Sequence, residues 1–351
     1  MVKNPLPAVK TQTQTSGEEY SSSNTLPFLR KITTQQLFST RSLEATKDLR
    51  ISKVQELMSF VDTCSQRSEA VSIARASFVT TLNIISNALF STNLANFDDT
   101  EKRSASDGGD RWETKHSSIQ KRSSKASRNK DSDMLDSLLD IAQEKETCFW
   151  REQTSSSTVE WAMAELLRNP ELMVKAQEEI REVIGENDAV KELDVFKLPY
   201  LQAVVKETLR LHPPSPFLIP RTSKSDDVRI FEFSIPKNTQ VLVSLWGIGR
   251  DPRVWENPTH FEPERFLGRE IDVKLKGNDF ELIPFGAGRR ICPGLPLGLR
   301  IVHLVLESLL YGFDWKYQNC VLPENVDMSE AFGVTLHKAE PLCAVPSKKH
   351  V

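Results

Sequence analysis

Residues 284–294 read Pro-Phe-Gly-Ala-Gly-Arg-Arg-Ile-Cys-Pro-Gly and carry the densest chemical signal in this 351-residue chain. Gly286 and Gly288 permit a tight loop, because glycine adopts positive φ angles without steric cost. Cys292 comes just before a predicted helix, whose unpaired N–H groups and dipole favour a thiolate over a thiol. Arg290 adds a positive charge suited to a carboxylate, and a thiolate with an open face is a soft ligand for iron. A buried, unreactive cysteine would be the preferred interpretation of a bare Gly-x-x-x-Cys, but not of the full string.

Composition and charge narrow the class of protein. The 45 Lys and Arg residues against 48 Asp and Glu leave a formal net charge of −3, and hydrophobic residues make up 39% of the chain. These values are close to globular averages and exclude wholesale disorder. The near-neutral balance predicts no nucleic-acid partner, since such binding needs concentrated Lys and Arg. The five cysteines include no Cys-x-x-Cys pair, which argues against a disulfide framework and a zinc site.

Hydropathy predicts neither a membrane-spanning helix nor a secretory signal. We find no window of about 18 uninterrupted apolar residues, the length that a transmembrane helix needs. Residues 1–23 also lack the apolar core of a signal peptide. We therefore expect no membrane segment within this chain.

Composition also divides the chain into four parts. Residues 1–28 are rich in Ser, Thr, Gln and Glu without periodicity, which predicts a disordered lead-in. Residues 29–95 are predicted to form a helical N-terminal segment. Residues 96–133 are too poor in apolar side chains to offset their ordering entropy, so we expect a low-complexity linker; a segment that binds nucleic acid or is phosphorylated is the less favoured interpretation. Residues 134–351 form the main folded part.

Hydrophobic periodicity predicts a mainly α protein with a small antiparallel β part. Apolar residues at helical spacing form two stripes that we expect to pack in the core. The stripes are Val54, Leu57, Met58 and Val61, and Phe78, Leu82, Ile85 and Leu89.

The later part of the chain is predicted in the same way. Two helices are separated at Pro170, since proline lacks the N–H that would continue a helix. A further helix runs from about Pro199 to Leu211, and a last long helix covers roughly residues 294–310. The alternating segment 228–246 predicts a hairpin centred on residues 236–238.

The string at residues 284–294 resembles the heme-ligand signature FxxGxRxCxG of the cytochrome P450 superfamily. It is matched at Phe285, Gly288, Arg290, Cys292 and Gly294. The resemblance implies a truncated cytochrome P450 fold in which residues 134–351 hold heme b. It further implies that Cys292 is the axial thiolate on iron, which pushes electron density to favour O–O cleavage. Arg290 is then a partner of a heme propionate, and Phe285 packs against the thiolate.

Two further motifs match the family in order and spacing. Glu207 and Arg210 lie at i and i+3 on one face of a predicted helix, a spacing that by itself is usually a surface ion pair. Residues 261–266 resemble the family's PERF element, which supplies Arg265. The resemblance implies that Glu207, Arg210 and Arg265 form a buried structural triad, whose charges persist only when mutually satisfied.

Three further segments resemble the family less strongly; two of them add candidate heme-binding residues and the third concerns the substrate. Residues 211–216 resemble the family segment that passes the heme edge, which makes Arg221 a second propionate candidate. Arg30 is a third, in a segment that resembles the family's WxxxR helix although Leu26 stands in place of Trp. Residues 332–335 resemble the C-terminal turn that reaches back over the substrate. The C-terminal part as a whole is most similar to plant microsomal enzymes of the geraniol 8-hydroxylase type.

The chain departs from the family at the oxygen-activating helix. A stretch such as Ala-Gly-Thr-Asp-Thr-Thr is expected before Ser-Ser-Thr-Val-Glu-Trp, but residues 148–155 read Cys-Phe-Trp-Arg-Glu-Gln-Thr-Ser. The Thr that relays protons to dioxygen maps to Thr154, the catalytic candidate. Arg151 and Gln153 replace the small glycine and the acid, so a clash with heme or oxygen is expected. The codons that can encode residues 148–154 also permit Phe-Leu-Ala-Gly-Thr-Asp when they are read in a shifted reading frame. A gene-model error or a decayed gene would produce such a patch.

Upstream segments of the family pattern are also missing from the chain. The membrane anchor, its proline-rich hinge, the first sheet and the first substrate loop have no counterpart, so residues 29–95 are interpreted as a remnant. The linker at 96–133 replaces the helices that normally roof the substrate pocket.

Three functions follow from the resemblance. The first is a heme-thiolate monooxygenase that hydroxylates a small lipophilic substrate, a terpenoid alcohol, with O2 and electrons from NADPH through NADPH-cytochrome reductase. Its full-length relatives are anchored in the endoplasmic reticulum membrane on the cytosolic face. The second is a catalytically impaired heme-binding remnant of such an enzyme. The third, a heme-thiolate isomerase that needs no reductase, is disfavoured by the retained Thr154.

Overall fold

The computed structural model describes residues 30–31, 33–97, 147–185, 190–225, 228–268, 271, 273, 280–332 and 335–349, with backbone alone at residues 36, 147–153 and 320. The predicted lead-in at 1–28, most of the predicted linker at 96–133 and the periodic segment 134–141 lie outside the described residues.

Helices dominate the described residues. The α-helices are α1 (Thr40–Ala45), α2 (Lys47–Arg67), α3 (Ile73–Phe90), α4 (Thr147–Arg168), α5 (Pro170–Ile184), α6 (Pro199–Leu211), α7 (Leu245–Ile248) and α8 (Leu295–Gly312). A π-helical turn covers Thr33–Leu37, and 3₁₀ turns cover Asp194–Lys197, Pro263–Phe266, Gly288–Arg290, Gln318–Cys320 and Pro323–Asn325.

The strands are short and pair antiparallel throughout. They are β1 (Val71–Ser72), β2 (Arg221–Thr222), β3 (Val228–Ile230), β4 (Phe233–Ile235), β5 (Gln240–Val241), β6 (Phe313–Tyr317), β7 (Glu330–Phe332), β8 (Leu336–Lys338) and β9 (Cys343–Lys348). One sheet has the order β1-β9-β6, and the pairs β2-β5, β3-β4 and β7-β8 form two-stranded sheets. The predicted mainly helical fold with a small antiparallel part is confirmed.

Prolines set the helix starts as expected. Pro170 and Pro199 occupy the first positions of α5 and α6, where the missing N–H would have had no intrahelical partner. The separation of α4 from α5 at Pro170 and the bounds of α6 agree with the sequence-based predictions.

Two predictions from periodicity need correction. The hairpin formed by β3 and β4 turns at Phe231 and Glu232, because Ile230 pairs with Phe233, and is not centred on residues 236–238. A turn does occur at 236–239, but it leads to β5, which pairs with β2 in another sheet. Alternation alone does not say which strand is the partner, since every strand has the same two-residue period.

The second correction concerns α3. Leu82 is buried, but Phe78, Ile85 and Leu89 of the predicted stripe are only partly buried. The most buried side of this helix includes polar residues, among them Asn83. Its amide side chain bonds the backbone of Leu94 and Ala95, so polar groups are buried here because they hold the chain that leaves the helix. The stripe predicted in α2, by contrast, is buried or half-buried.

Helix α4 lies at the centre of the core. Trp161, Ala162, Met163, Ala164 and Leu166 are all fully buried, and the helix packs against α3, α6 and α8. The oxygen-activating helix predicted from the sequence is therefore the helix around which the described fold is built.

Two described helices, α3 and α8, are long and apolar enough to cross a bilayer by length and composition. In each, 56% of the apolar window is buried inside the protein. Core helices pass the same test, so these two are weak indications of a membrane span.

A buried ion cluster that the sequence did not reveal joins the N-terminal helices to α8. Arg50 donates two hydrogen bonds to Glu192, at 2.8 and 2.9 Å, and both side chains are buried. Arg300 of α8 contacts the same carboxylate and also Glu44, at 3.2 Å. The two guanidinium groups hold the pKa of Glu192 below its usual value although burial opposes this. The segment 190–198 is thereby tied to both α2 and α8.

Candidate cofactor site

The cysteine loop is held by its own backbone. The Cys292 amide donates to the Phe285 carbonyl at 2.9 Å, and the Ile291 amide donates to the Gly288 carbonyl at 3.1 Å. Gly286 and Gly288 have φ angles of 73° and 66°, a left-handed conformation that side chains with a Cβ disfavour. The loop predicted from the two glycines is therefore present, with its cysteine at the exposed end.

The thiol lies beside the start of α8. A Cβ added at Gly294, the N-cap of that helix, would lie 3.9 Å from Cys292 Sγ. The sulfur thus stands near the first N–H groups of an 18-residue helix, whose positive end favours an anion. Cys292 is a free thiol.

One cationic side chain contacts the loop, a second lies on it, and a third belongs to a segment that contacts it. The Arg30 guanidinium donates to the Ile291 carbonyl, directly before Cys292. Arg290 is exposed on the same loop. Arg221 is also exposed, and its segment reaches the loop through Leu218, whose side chain would lie 3.5 Å from a Cβ at Gly286.

Helix α4 crosses α8 close to the cysteine loop. A Cβ added at Gly298 would lie 3.9 Å from Ser155 Oγ and 4.0 Å from Phe285 Cε1. Thr154, the predicted proton-relay residue, precedes Ser155 and is half-buried. The fold therefore brings the helix of Thr154, the ring of Phe285 and the cysteine loop together. The side chains of Arg151 and Gln153, on which the predicted clash depends, lie outside what the structure describes.

The predicted triad is assembled behind this site. Arg210 donates from Nε and Nη2 to the two oxygens of Glu207, both at 2.7 Å. Arg265 donates from Nε to Glu207 Oε1 at 3.0 Å. The side chains of Glu207 and Arg210 are fully buried, so the pair is not the surface ion pair that its spacing alone would favour.

Backbone carbonyls complete the coordination of Arg210. Its guanidinium also donates to the carbonyls of Gly249, Pro258 at 2.7 Å and His260 at 2.9 Å. Gly249 approaches so closely that an added Cβ would collide with the carbonyl oxygen of Arg210. Because these acceptors lie 39 to 50 residues after Arg210 in the sequence, Arg210 connects α6 to the segment that carries the PERF element.

The donor chemistry of the loop fits a heme iron with a thiolate ligand. An exposed thiol at a helix N-terminus is a soft anionic ligand. Glycines at positions 286, 288 and 294 add no side chain of their own to the loop, and the Phe38 ring lies 3.7 Å from the place of a Cβ at Gly294. The Arg30 guanidinium bonds the loop and Arg290 lies on it, so cations are available for carboxylates. No group of three or more His, Cys, Asp or Glu that could hold a metal ion occurs among the described residues.

Comparison with known proteins places this geometry in a family. The model of the family "Cytochrome P450" matches residues 113–343. The chain belongs to the cytochrome P450 family, and its class of enzyme is the monooxygenases of that family.

The most similar relatives considered are plant proteins. The chain is 49% identical to "Cytochrome P450 76C3" of Arabidopsis thaliana over 381 positions, covering 92% of this chain and 73% of the relative. It is 42% identical to "Geraniol 8-hydroxylase" of Catharanthus roseus over 373 positions, covering 91% of this chain and 74% of the relative. Both alignments are longer than the 351-residue chain, so each relative has residues between the matched parts that this chain lacks.

A solved structure supports the fold. "Zebra fish cytochrome P450 another structure with Abiraterone" superposes with a TM-score of 0.70 at 23% identity, covering 94% of this chain and 83% of that one. The architecture of the family is therefore present in this chain.

Proposed function

We propose that this chain binds heme b through Cys292 and is the core of a monooxygenase that hydroxylates a small lipophilic substrate, a terpenoid such as geraniol. The observation that carries the proposal is the exposed Cys292 thiol, held by its backbone beside the first turn of α8 in a loop that matches the family signature. The similarity to the geraniol 8-hydroxylases of Catharanthus roseus and Swertia mussotii, at 42% and 41% identity, supports the substrate class.

In this proposal the chain's own residues bind and orient the cofactor. Cys292 supplies the anionic sulfur ligand, Phe285 packs next to it, and Gly288 and Gly294 add no side chain of their own beside it. Arg30, Arg221 and Arg290 bind the propionate carboxylates, since a guanidinium group can donate two parallel hydrogen bonds to one carboxylate. When bound, a thiolate-ligated heme supplies the activation of dioxygen.

The proton chemistry is assigned to helix α4. The Thr154 carbonyl accepts a hydrogen bond from the Thr158 hydroxyl at 2.8 Å, which is compatible with a regular helical turn at this residue. We assign to the Thr154 hydroxyl the transfer of a proton toward the oxygen side of the site.

The partners follow the family. Electrons come from NADPH through NADPH-cytochrome reductase, and the working location is the cytosolic face of the endoplasmic reticulum membrane. The near-neutral charge of the chain fits this assignment better than a nucleic-acid partner.

The replacement Cys292→Ser tests the ligand assignment. The variant is expected to lose the reduced, carbon-monoxide-bound absorbance band of thiolate-ligated heme, because a serine hydroxyl has far too high a pKa to ligate as an anion. Cys64→Ser, at a buried cysteine of α2, is the matched control and should keep the band. Retention of the thiolate band by the Cys292 variant would show that another residue is the ligand.

A second function, a heme-binding remnant without turnover, is favoured by two specific observations. Arg151 and Gln153 stand where the family has a small residue and an acid, and the alignments show that the relatives have internal residues that this chain lacks. Both features would impair dioxygen activation, since the site needs a polar relay in a closed space.

Turnover measurements separate the two functions. With reductase and NADPH, this chain is expected to hydroxylate geraniol far more slowly than a chimera that carries a complete N-terminal half and oxygen helix from a relative. Restoring Ala-Gly-Thr-Asp at residues 150–153 alone is not expected to recover the rate, because the roof of the pocket is still missing. Equal rates for the chain and the chimera would mean that the departures are harmless and the sequence as printed is a working enzyme.

A further inference from the structure

His212 lies between two carboxylates at the point where three elements meet. It follows the last residue of α6 and is 5% exposed. Its Nε2 is 2.7 Å from Glu165 Oε1 of α4, and its Nδ1 is 3.2 Å from Glu330 Oε1 of β7. The ring also stacks in parallel on Trp161 of α4, with 3.9 Å between centroids. The His212 side chain thus joins the end of α6 to α4 and to the hairpin formed by β7 and β8.

Both ring nitrogens of His212 face carboxylate oxygens, at 2.7 Å on the Glu165 side and 3.2 Å on the Glu330 side. Carboxylate oxygens accept hydrogen bonds, and an imidazole nitrogen donates when it carries a proton. Hydrogen bonds to a carboxylate are charge-assisted and are stronger than neutral ones. The ring is therefore placed to bridge the two carboxylates.

Glu330 is held from several sides. Trp246 donates to its Oε2 at 3.0 Å, and Arg250 donates to its Oε1 at 3.1 Å. Burial opposes ionisation, but the His212 hydrogen bond and the Arg250 charge outweigh it and lower the pKa of Glu330. The carboxylate is therefore charged and fixed in position.

Glu330 is the first residue of the β7–β8 hairpin, where it pairs with Lys338. At the other end of the hairpin, the Leu336 amide donates to Pro214 at 2.8 Å and the Leu336 carbonyl accepts from Ser157 Oγ of α4 at 3.0 Å. Phe332 is 66% exposed and stands edge-on to Phe217, 6.3 Å between centroids. Glu330, at the base of the hairpin, is thus attached to α4 through His212. Leu336, at the far end, is attached directly to α4 and to the segment after α6.

We propose that His212 is a positioning residue, which sets the place of the hairpin formed by β7 and β8 relative to α4 by bridging Glu165 and Glu330. The part of this inference that concerns substrate rests on the proposed function and on the resemblance of residues 332–335 to the family turn that reaches back over the substrate. His212 touches neither the cofactor nor the reacting atoms; it acts through Glu330.

Hydrogen exchange of the whole chain tests the bridge without relying on bound heme. His212→Gln and Glu330→Gln are each expected to raise amide exchange in residues 327–340 at least several-fold, while exchange in α6 and α4 stays unchanged. The effects of the two replacements should not add in the double variant, because both break the same contact. Glu340→Gln, an exposed carboxylate beyond the hairpin, is the control and should leave exchange as it is. Unchanged exchange in the hairpin of both single variants would overturn the proposal.

Glu330→Gln keeps the test decisive if His212→Gln fails to fold, because the Glu330 side chain is 22% exposed and lies outside the central core. Heme-bound chain supplies the second measurement. The spectral dissociation constant for geraniol should rise several-fold in both variants, whereas that for imidazole, which binds iron directly, should not change. Equal geraniol affinity in the presence of raised exchange would refute the substrate part. Absence of any heme band in the unaltered chain would count against the proposed function, and the exchange result would still decide the role of His212.

Discussion

Replacing Arg210 with alanine is expected to destabilise the folded chain by about 3–5 kcal/mol, the cost of breaking a buried ion pair by removing one partner. The guanidinium is fully buried and bonds both oxygens of Glu207 together with three backbone carbonyls. Arg265 and the Glu262 amide still contact Glu207 in the variant, but the three carbonyls lose their donor. Each buried acceptor left unsatisfied carries a desolvation cost.

Denaturant unfolding followed by tryptophan fluorescence measures this effect, with heme incorporation as a second readout. Arg253→Ala is the matched control, because Arg253 also makes a short ion pair, 2.6 Å to Asp251, but its side chain is 87% exposed. That pair is expected to contribute little to stability, because solvent screens an exposed ion pair. If both variants unfold at the same denaturant concentration, the triad has no structural role beyond that of a surface pair.

The second large effect concerns Glu307 and the pH dependence of stability. Glu307 is fully buried in α8, and neither of its carboxylate oxygens has a hydrogen-bond partner within the described part of the chain. Burial and the nearby charge of Asp194 raise its pKa to about 8. An unfolded chain has an ordinary pKa near 4.5 for this group. The neutral carboxyl is therefore the form that the fold accepts.

The sign follows from that difference. Below pH 4.5 the Glu307 carboxyl is protonated in both the folded and the unfolded state, so it does not change the free energy of unfolding. As the pH rises from 4.5 toward 8, the carboxyl ionises in the unfolded state but not in the folded state, and the free energy of unfolding therefore falls. One pKa unit corresponds to 1.36 kcal/mol, so the total loss is on the order of 5 kcal/mol. Glu160, whose pKa burial raises to about 7, adds a loss of the same sign over a narrower range.

Glu307→Gln should remove the contribution of Glu307 to this decrease of the free energy of unfolding with pH. We expect the variant to gain stability over the unaltered chain progressively between pH 5 and pH 8.5, as measured by denaturant unfolding at several pH values. Glu324→Gln, at an exposed carboxylate, should change neither the stability nor its slope. A stability difference between the Glu307 variant and the unaltered chain that is constant with pH would mean that Glu307 has a partner and titrates normally.

Local sequence determined the elements and the chemistry of the loop. Proline at the helix starts, glycine where φ is positive, and a cysteine before a helix act over a few residues, so α4, α5, α6, α8 and the cysteine loop were predictable. The short helix α7 was not, because it begins inside the alternating segment 228–246. The triad was predictable only by resemblance, because the i, i+3 spacing of Glu207 and Arg210 is shared by many surface pairs.

The tertiary structure decided which residues meet across the chain. The pairing of β2 with β5, the bridge from Glu165 through His212 to Glu330 and the contact of Arg50 with Glu192 join segments that are far apart in sequence. No periodicity specifies such partners, because a strand edge or a buried charge is satisfied by any complementary group that the fold delivers. The sequence by itself therefore determined the class of site, and packing around α4 decided how that site is held.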